Sequence, residues 1–254
     1  MKTYCVIERA KWLVNNGADP STLLLLTFTN YAVNVMLDRI RESLPDASIF
    51  AGTFHSFCYR LLKECLPIDK KAFTVADEDD QKSILSKLEA KQSIPNIIEH
   101  INICKSVDGV YSKYIDICNK YDEYLYKHNL MDFGDLQIKA IDYINNMRYK
   151  HIFIDEFHDT SPMQLEIIKK LEPTCDTLTI VCDDQQSIYS WRGADFNNIL
   201  KIKELYPATE LITLSRNYRS TKVIVSSTNN LISHATEKLC DKDMYTDRKY
   251  GQDI

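Results

Sequence analysis

No stretch of this 254-residue sequence is long and apolar enough to cross a bilayer, and the leucine run at Leu23–Leu26 is far too short. The opening MKTYCVIERA carries charges and has no apolar core of the kind that directs export. There is no C-x-x-C pair and no Cys/His cluster at zinc spacing, which excludes the common structural zinc sites. The eight cysteines therefore read as reduced thiols in a cytosol-like compartment. A surplus of positive charge is missing too. The net charge is -5, so overall charge does not make this a nucleic-acid coat, although a local basic groove is compatible with it. Repeats and low-complexity tracts are also absent. What remains is 44% hydrophobic, enough for one large domain or two small ones with a real core.

Organisation comes from apolar runs alternating with helical patterns. Residues 4–15 place Val6, Ile7, Ala10, Leu13 and Val14 on one stripe, with Gly17 as a stop. LLLLTFT (23–29) reads as a buried strand, followed by the amphipathic YAVNVMLDRIRESL. SIFAGTF, HIFIDEF, TLTIVCD and ELITLS have the same look, each leading into polar residues and then helix-like sequence. Strands apolar on both faces and alternating with helices imply an α/β fold, a parallel sheet with helices on both faces. Ligands of such sheets sit at the carboxyl ends of the strands. From about residue 67 to 130 the pattern becomes helices only, read as an all-helical insertion. Its stripe Tyr114, Ile117, Tyr121 and Tyr124 reads as packing, not as a base-stacking platform.

Three stretches carry chemistry. HIFIDEFHDTSPMQ ends a strand in Asp155 and Glu156, a pair able to hold a magnesium ion and to accept a proton from water attacking a phosphate. Taken alone it is equally an acidic exit from a strand. IVCDDQQSIYSWRGAD repeats the design with Gln186, and Trp191 beside Arg192 offers a stacking face and a cation. Taken singly, Trp191 is more often core. LSRNYRST adds Arg219 at a strand-to-helix turn, suited to an anion. Lys2 and Thr3 match the close of a phosphate-binding loop, but the dipeptide alone cannot decide, because that motif owes its specificity to its glycines.

Together these residues resemble the superfamily 1 DNA helicases of the UvrD/Rep/PcrA group. TFTNYAVNVMLDRI, TFHSFCYRLL, MDFGDL, DEFHDTS, DDQQSIYSWRGA and NYRST occur in that family's order and with similar separations over nearly the whole chain. The resemblance implies a RecA-like P-loop NTPase fold, divided into a first lobe at 1–66 and 131–204, the insertion at 67–130, and the beginning of a second lobe at 205–254. It implies ATP and Mg2+ as cofactors and single-stranded DNA as partner. Lys2 would meet the phosphates, Thr3 and Asp155 the metal, and Glu156 would complete the acidic pair. Gln186 and Arg219 would sense the terminal phosphate, and Tyr218 would lie near the adenine. Phe28, Asn30, His55, Tyr189, Trp191 and Arg192 would line the DNA path.

The sequence also departs from the family's pattern, with Met1, Tyr31, His158, Cys182 and Gln185 in place of Gly, Lys, Gln, Gly and Asp. On this reading the chain begins inside its own phosphate loop and holds only the start of the second lobe. The expectation is an ATP-dependent DNA helicase present as a fragment that is inactive alone, with missing segments or a second chain completing it. The rival is a non-catalytic module that binds single-stranded DNA.

Overall fold

A computed structural model describes residues 2–67, 70–88, 90, 93–106, 114–187, 197–235, 239–240 and 242–251, with backbone alone at 203. Four parallel strands form the main sheet in the order β2-β1-β5-β6: β1 (Leu23–Thr27), β2 (Phe50–Thr53), β5 (His151–Ile154) and β6 (Thr177–Ile180). Four consecutive leucines serve β1 because both of its faces are covered. Leu24 and Leu26 join the core under α3 (Phe54–Cys65), α7 (Phe133–Ile141) and α8 (Pro162–Leu171), while Leu23 and Leu25 join the core under α1 (Lys2–Asn15) and α2 (Asn30–Ser43). All four leucines are fully buried. Each such side chain is worth about 1.5–3 kcal/mol against exposure, so this strand fixes the sheet.

The helices begin directly beyond the strands because polar caps stand there. Thr29 accepts from the Ala32 amide at 3.1 Å to start α2, and Thr53 accepts from the Ser56 amide at 3.2 Å to start α3. Ser161 and Gln164 form a capping box ahead of α8, with Pro162 at its first position. At the other end of α1 the amide of Ala18 reaches back to the Leu13 carbonyl at 3.0 Å over Gly17, whose φ of 95° needs a residue without Cβ. The carboxyl edge of the sheet thus presents short polar loops.

Two expectations need correction. The stretch ELITLS is not a strand. Only Arg216 makes a ladder bridge, to Tyr245, and Leu211, Ile212 and Leu214 stay exposed. A parallel strand forms only where a neighbour completes its hydrogen bonds along its length, and among the described residues only Tyr245 does so at the end of this stretch, its amide donating to the Ser215 carbonyl at 3.0 Å. The insertion is also not purely helical. β3 (Thr74–Val75) pairs in parallel with β4 (Leu130–Met131) where the chain leaves and rejoins the sheet layer. Between them, α4 (Glu78–Lys87), α5 (Ile94–Ser106) and α6 (Ile115–Lys127) build a separate apolar core. Tyr114 and Tyr121 are buried in it and Ile117 and Tyr124 pack against it, so the tyrosine stripe is packing.

This helical core is tied to α7 by buried charge. The Lys105 ammonium contacts Asp132 Oδ2 at 2.8 Å, Asp135 Oδ1 at 2.9 Å and Asp122 Oδ1 at 3.0 Å, while the Tyr121 hydroxyl donates to Asp132 Oδ2 at 3.1 Å. Burial alone would lower the lysine's pKa, but the three carboxylates drive it above the ordinary range. Burial and Asp132 push the Asp135 carboxyl up, against the pull of Lys105. The MDFGDL stretch supplies both the capping box and the room, since a Cβ at Gly134 would lie 2.7 Å from the Lys105 side chain. Removing one member of such a network strands buried charge. Lys105→Met is therefore expected to cost about 3–5 kcal/mol in urea unfolding, with part recovered in Lys105→Met/Asp132→Asn. A loss under about 1 kcal/mol would show that water takes over from the ammonium.

Candidate active site at the carboxyl edge of the sheet

The first turn of α1 meets the end of β5. Lys2 Nζ lies 2.8 Å from Glu156 Oε2, and Thr3 Oγ1 donates to Asp155 Oδ2 at 2.6 Å, joining residues 154 and 152 positions apart. Asp155 is buried at 2% exposure. Burial raises its pKa, opposed by the Thr3 hydrogen bond and reinforced by the Glu156 charge. Glu156 has φ 52° and ψ 44°, a left-handed conformation that costs a residue with Cβ on the order of 1 kcal/mol. Neighbouring backbone bonds hold it there, with the Phe157 amide donating to the Val181 carbonyl at 3.0 Å and the Asp159 amide to the Glu156 carbonyl at 3.0 Å.

The end of β6 closes the other side. Asp183 accepts from Gln186 Nε2 at 2.9 Å and sits 3.9 Å from Lys2 Nζ. Lys2, Thr3, Asp155, Glu156 and Gln186 are therefore brought to one cluster, Gln186 by way of Asp183. His158 links the two strand ends. Its Nδ1 accepts from the Asp183 amide at 3.2 Å, which leaves the proton on Nε2, 3.8 Å from Asp159 Oδ1. Burial and the Lys2 charge lower the His158 pKa and keep the ring neutral, although Glu156 and Asp183 oppose them. Asp159 Oδ1 is buried with no hydrogen-bond partner among the described residues, and burial with the Glu156 charge pushes its pKa up to about 6.

The other expected residues lie elsewhere. Tyr218 is 57% exposed, with the Arg216 guanidinium 4.8 Å from its ring centre. Arg219 is also exposed. Its amide donates to Asn217 Oδ1 at 2.8 Å and its carbonyl accepts from Arg248. Neither makes a described contact with the Lys2 cluster. Phe28 and Asn30 follow β1, half-buried and exposed respectively, and His55 opens α3 after β2, all on the carboxyl edge. Gln137 Nε2 donates to His55 Nε2 at 3.2 Å, and the ring packs 4.7 Å from Phe133. Burial lowers the His55 pKa. Tyr189, Trp191 and Arg192 lie outside the described residues.

Sequence reasoning missed two participants. Asp183 was visible only as one of two acids after a strand, with nothing to separate its role from that of Asp184. Lys242 gave no signal at all, yet its ammonium lies 2.8 Å from Asp183 and 3.0 Å from Asp184. A lysine in a loop 59 positions away has no pattern to announce it.

As for metal, no group of three or more His, Cys, Asp or Glu is arranged to hold an ion among the described residues. Magnesium does not require one, since it commonly takes one or two protein oxygens and completes its shell with water and phosphate. The touching Thr3 hydroxyl and Asp155 carboxylate are hard oxygen donors and fit that requirement.

The chain is similar in sequence to known proteins. The sequence pattern of the UvrD/REP helicase N-terminal domain matches residues 2–207, and the chain belongs to this family. It is 30% identical to proteins named ATP-dependent DNA helicase PcrA from Staphylococcus aureus strain COL and from Staphylococcus epidermidis strain ATCC 12228. Each match takes in 100% of this chain, which spans 39% of the length of those relatives. The parallel sheet between helices is the RecA-like core that this membership implies.

The buried Asp159 carboxyl gives the site a pH signature. With its pKa raised from 3.8 to about 6, the folded state holds a proton there that the unfolded chain has released. This contribution to stability is full below about pH 4 and is lost as pH rises through about 6. Asp159→Asn removes it, so the variant's unfolding free energy relative to the parent should grow from about pH 4 to about pH 6 and then level off. A difference that is flat across this range would contradict the assignment.

Proposed function

We propose that the chain carries the nucleotide-hydrolysing half-site and part of the strand path of an ATP-dependent DNA helicase. The observation that supports this most is the meeting of Lys2 and Thr3 with Glu156 and Asp155 across the edge of the sheet. ATP with Mg2+, when bound, supplies the phosphoryl group to be transferred. On this reading Lys2 neutralises the β- and γ-phosphates, and Thr3 and Asp155 present oxygens to the metal. Glu156 accepts a proton from the attacking water, and its carboxylate is half-exposed but occupied by Lys2 at 2.8 Å. A phosphate that draws Lys2 away therefore also frees the base. Gln186 and Arg219 would read the terminal phosphate and Tyr218 the adenine, the latter two after moving from the contacts they now make.

For DNA, Phe28, Asn30 and His55 stand on the same edge, and Tyr189, Trp191 and Arg192 are proposed as further contacts of the strand. The division into a first lobe at 1–66 and 131–204, an insertion at 67–130 and the start of a second lobe at 205–254 is part of the proposal, supported by the separate apolar core of the inserted helices. Because the relatives are much longer, strand unwinding is proposed for the family's full-length architecture, and this chain's share is nucleotide and strand binding. No helix among the described residues is long and apolar enough to cross a membrane. A reducing intracellular location is part of the proposal, supported by a sequence without a C-x-x-C pair.

The test measures binding of a fluorescent ATP analogue and phosphate release with and without single-stranded DNA. Lys2→Ala should weaken nucleotide binding at least tenfold, whereas Glu156→Gln should retain binding and abolish any release. Nucleotide binding that is indifferent to Lys2, with DNA binding intact, would return the chain to a non-catalytic binding module. Trp191→Ala and Phe28→Ala should each weaken strand binding by about 1–3 kcal/mol, the worth of one stacked base. Unchanged strand affinity would assign these rings to packing.

A further inference from the structure

The end of β6 carries two adjacent acids with different surroundings. Asp183 is shared by two lysines. Its Oδ1 lies 2.8 Å from Lys242 Nζ and accepts from the Gln185 amide at 3.3 Å, while Oδ2 takes Gln186 and faces Lys2 at 3.9 Å. Among the described residues, Asp184 faces the tail of the chain. Its Oδ1 meets Lys242 Nζ at 3.0 Å and its Oδ2 accepts from the Leu239 amide at 2.9 Å, with the side chain 4% exposed. The tail is fixed at its other end to the helix Lys222–Ser233 and the turn before it. The Met244 carbonyl accepts from Asn229 Nδ2 at 2.7 Å, and the Tyr245 carbonyl accepts from the Asn217 amide at 2.7 Å.

We propose that Lys242 is a positioning residue: it latches residues 239–240 and 242–251 onto Asp183 and Asp184, and so sets the charge that a nucleotide phosphate meets at Lys2. This rests on the nucleotide-site reading given above. Five acids gather around the site, namely Asp155, Glu156, Asp159, Asp183 and Asp184, and Lys2 and Lys242 are the cations paired with them among the described residues. Without Lys242, Lys2 alone offsets all five. It is then held harder by Asp183 and Glu156, and an anionic ligand meets a more negative mouth. The chemistry of the pair agrees with this. Burial would lower the Lys242 pKa, but hydrogen bonds to both aspartates raise it, and the same lysine, with Lys2, outweighs burial to bring Asp183 below the usual carboxylate range. Ligand arrival at Lys2 removes one of the two cations on Asp183, and Lys242 is then its one counter-ion among the described residues. The tail should therefore grip more firmly when nucleotide is bound, which links the 205–251 region to the site without any contact to the ligand.

The experiment follows amide hydrogen exchange at Leu239 and Tyr245, and binding of the Mg2+ complex of a nonhydrolysable ATP analogue, in the full chain and in Lys242→Met and Lys242→Arg. Lys242→Met is expected to speed exchange at Leu239 at least tenfold while leaving β1 and β5 protected. It should weaken nucleotide binding about three- to tenfold at low salt, by less at high salt, and Lys242→Arg should restore both. Unchanged protection at Leu239 in Lys242→Met overturns the latch. Lost protection with unchanged nucleotide affinity overturns the coupling. If the parent chain binds no nucleotide, the nucleotide-site reading fails together with the coupling, and exchange at Leu239 still decides the latch.

Discussion

Two side chains in the first turn of a helix touch two at the end of a strand more than 150 positions away, and most of the site's geometry depends on that contact. Asp155 and Glu156 follow an apolar strand and are held together by backbone bonds, so they cannot separate to relieve their repulsion. Lys2 and Thr3 offset it. The ammonium balances Glu156 and part of Asp183, and the hydroxyl satisfies an Asp155 oxygen that is cut off from water. The left-handed backbone at Glu156 is kept in place by the same surroundings. A strained acid held at a strand end against a lysine is energetically sensible where an anion will later replace one of the partners.

The sheet makes this possible by burying β1 and most of β5 up to its carboxyl edge. Because β1 and β5 are apolar on both faces, the chain reaches water beyond their ends, at Phe28 and Glu156, and the helix caps at Thr29, Thr53 and Ser161 turn the chain away at once. The loops after β1, β2, β5 and β6 consequently open on one side. The acids lie after β5 and β6, and the aromatic and imidazole groups after β1 and β2. The helical insertion has its own core and is tied to α7 by a buried charge cluster, so it can be carried on the sheet layer without sharing the side chains that fix the edge.

Much of this was legible in the sequence wherever period and burial agree. LLLLT and HIFI could only be covered strands, and Gly17 marked the end of α1 because its positive φ suits no other residue as well. The Asp155–Glu156 pair was legible as a strand-end signal, and its meeting with Lys2 and Thr3 became an expectation only through the resemblance to the helicases. ELITLS misled because a strand is a property of two partners, and its apolar residues say nothing about whether a neighbour is present. β3 and β4 were invisible because two residues give no period. Lys242 was invisible for the same reason on a larger scale, since its role comes from where a loop returns and no local pattern records that.

Metal binding tests the central arrangement most directly. Mn2+ can stand in for magnesium, and electron paramagnetic resonance counts how much of it is bound with and without a nonhydrolysable ATP analogue. The expected result is one nucleotide-dependent Mn2+ per chain, lost in Thr3→Val and in Asp155→Ala and retained in Glu156→Gln. Mn2+ binding that ignores both Thr3 and Asp155 would contradict the assignment of this strand end as the metal and phosphate site.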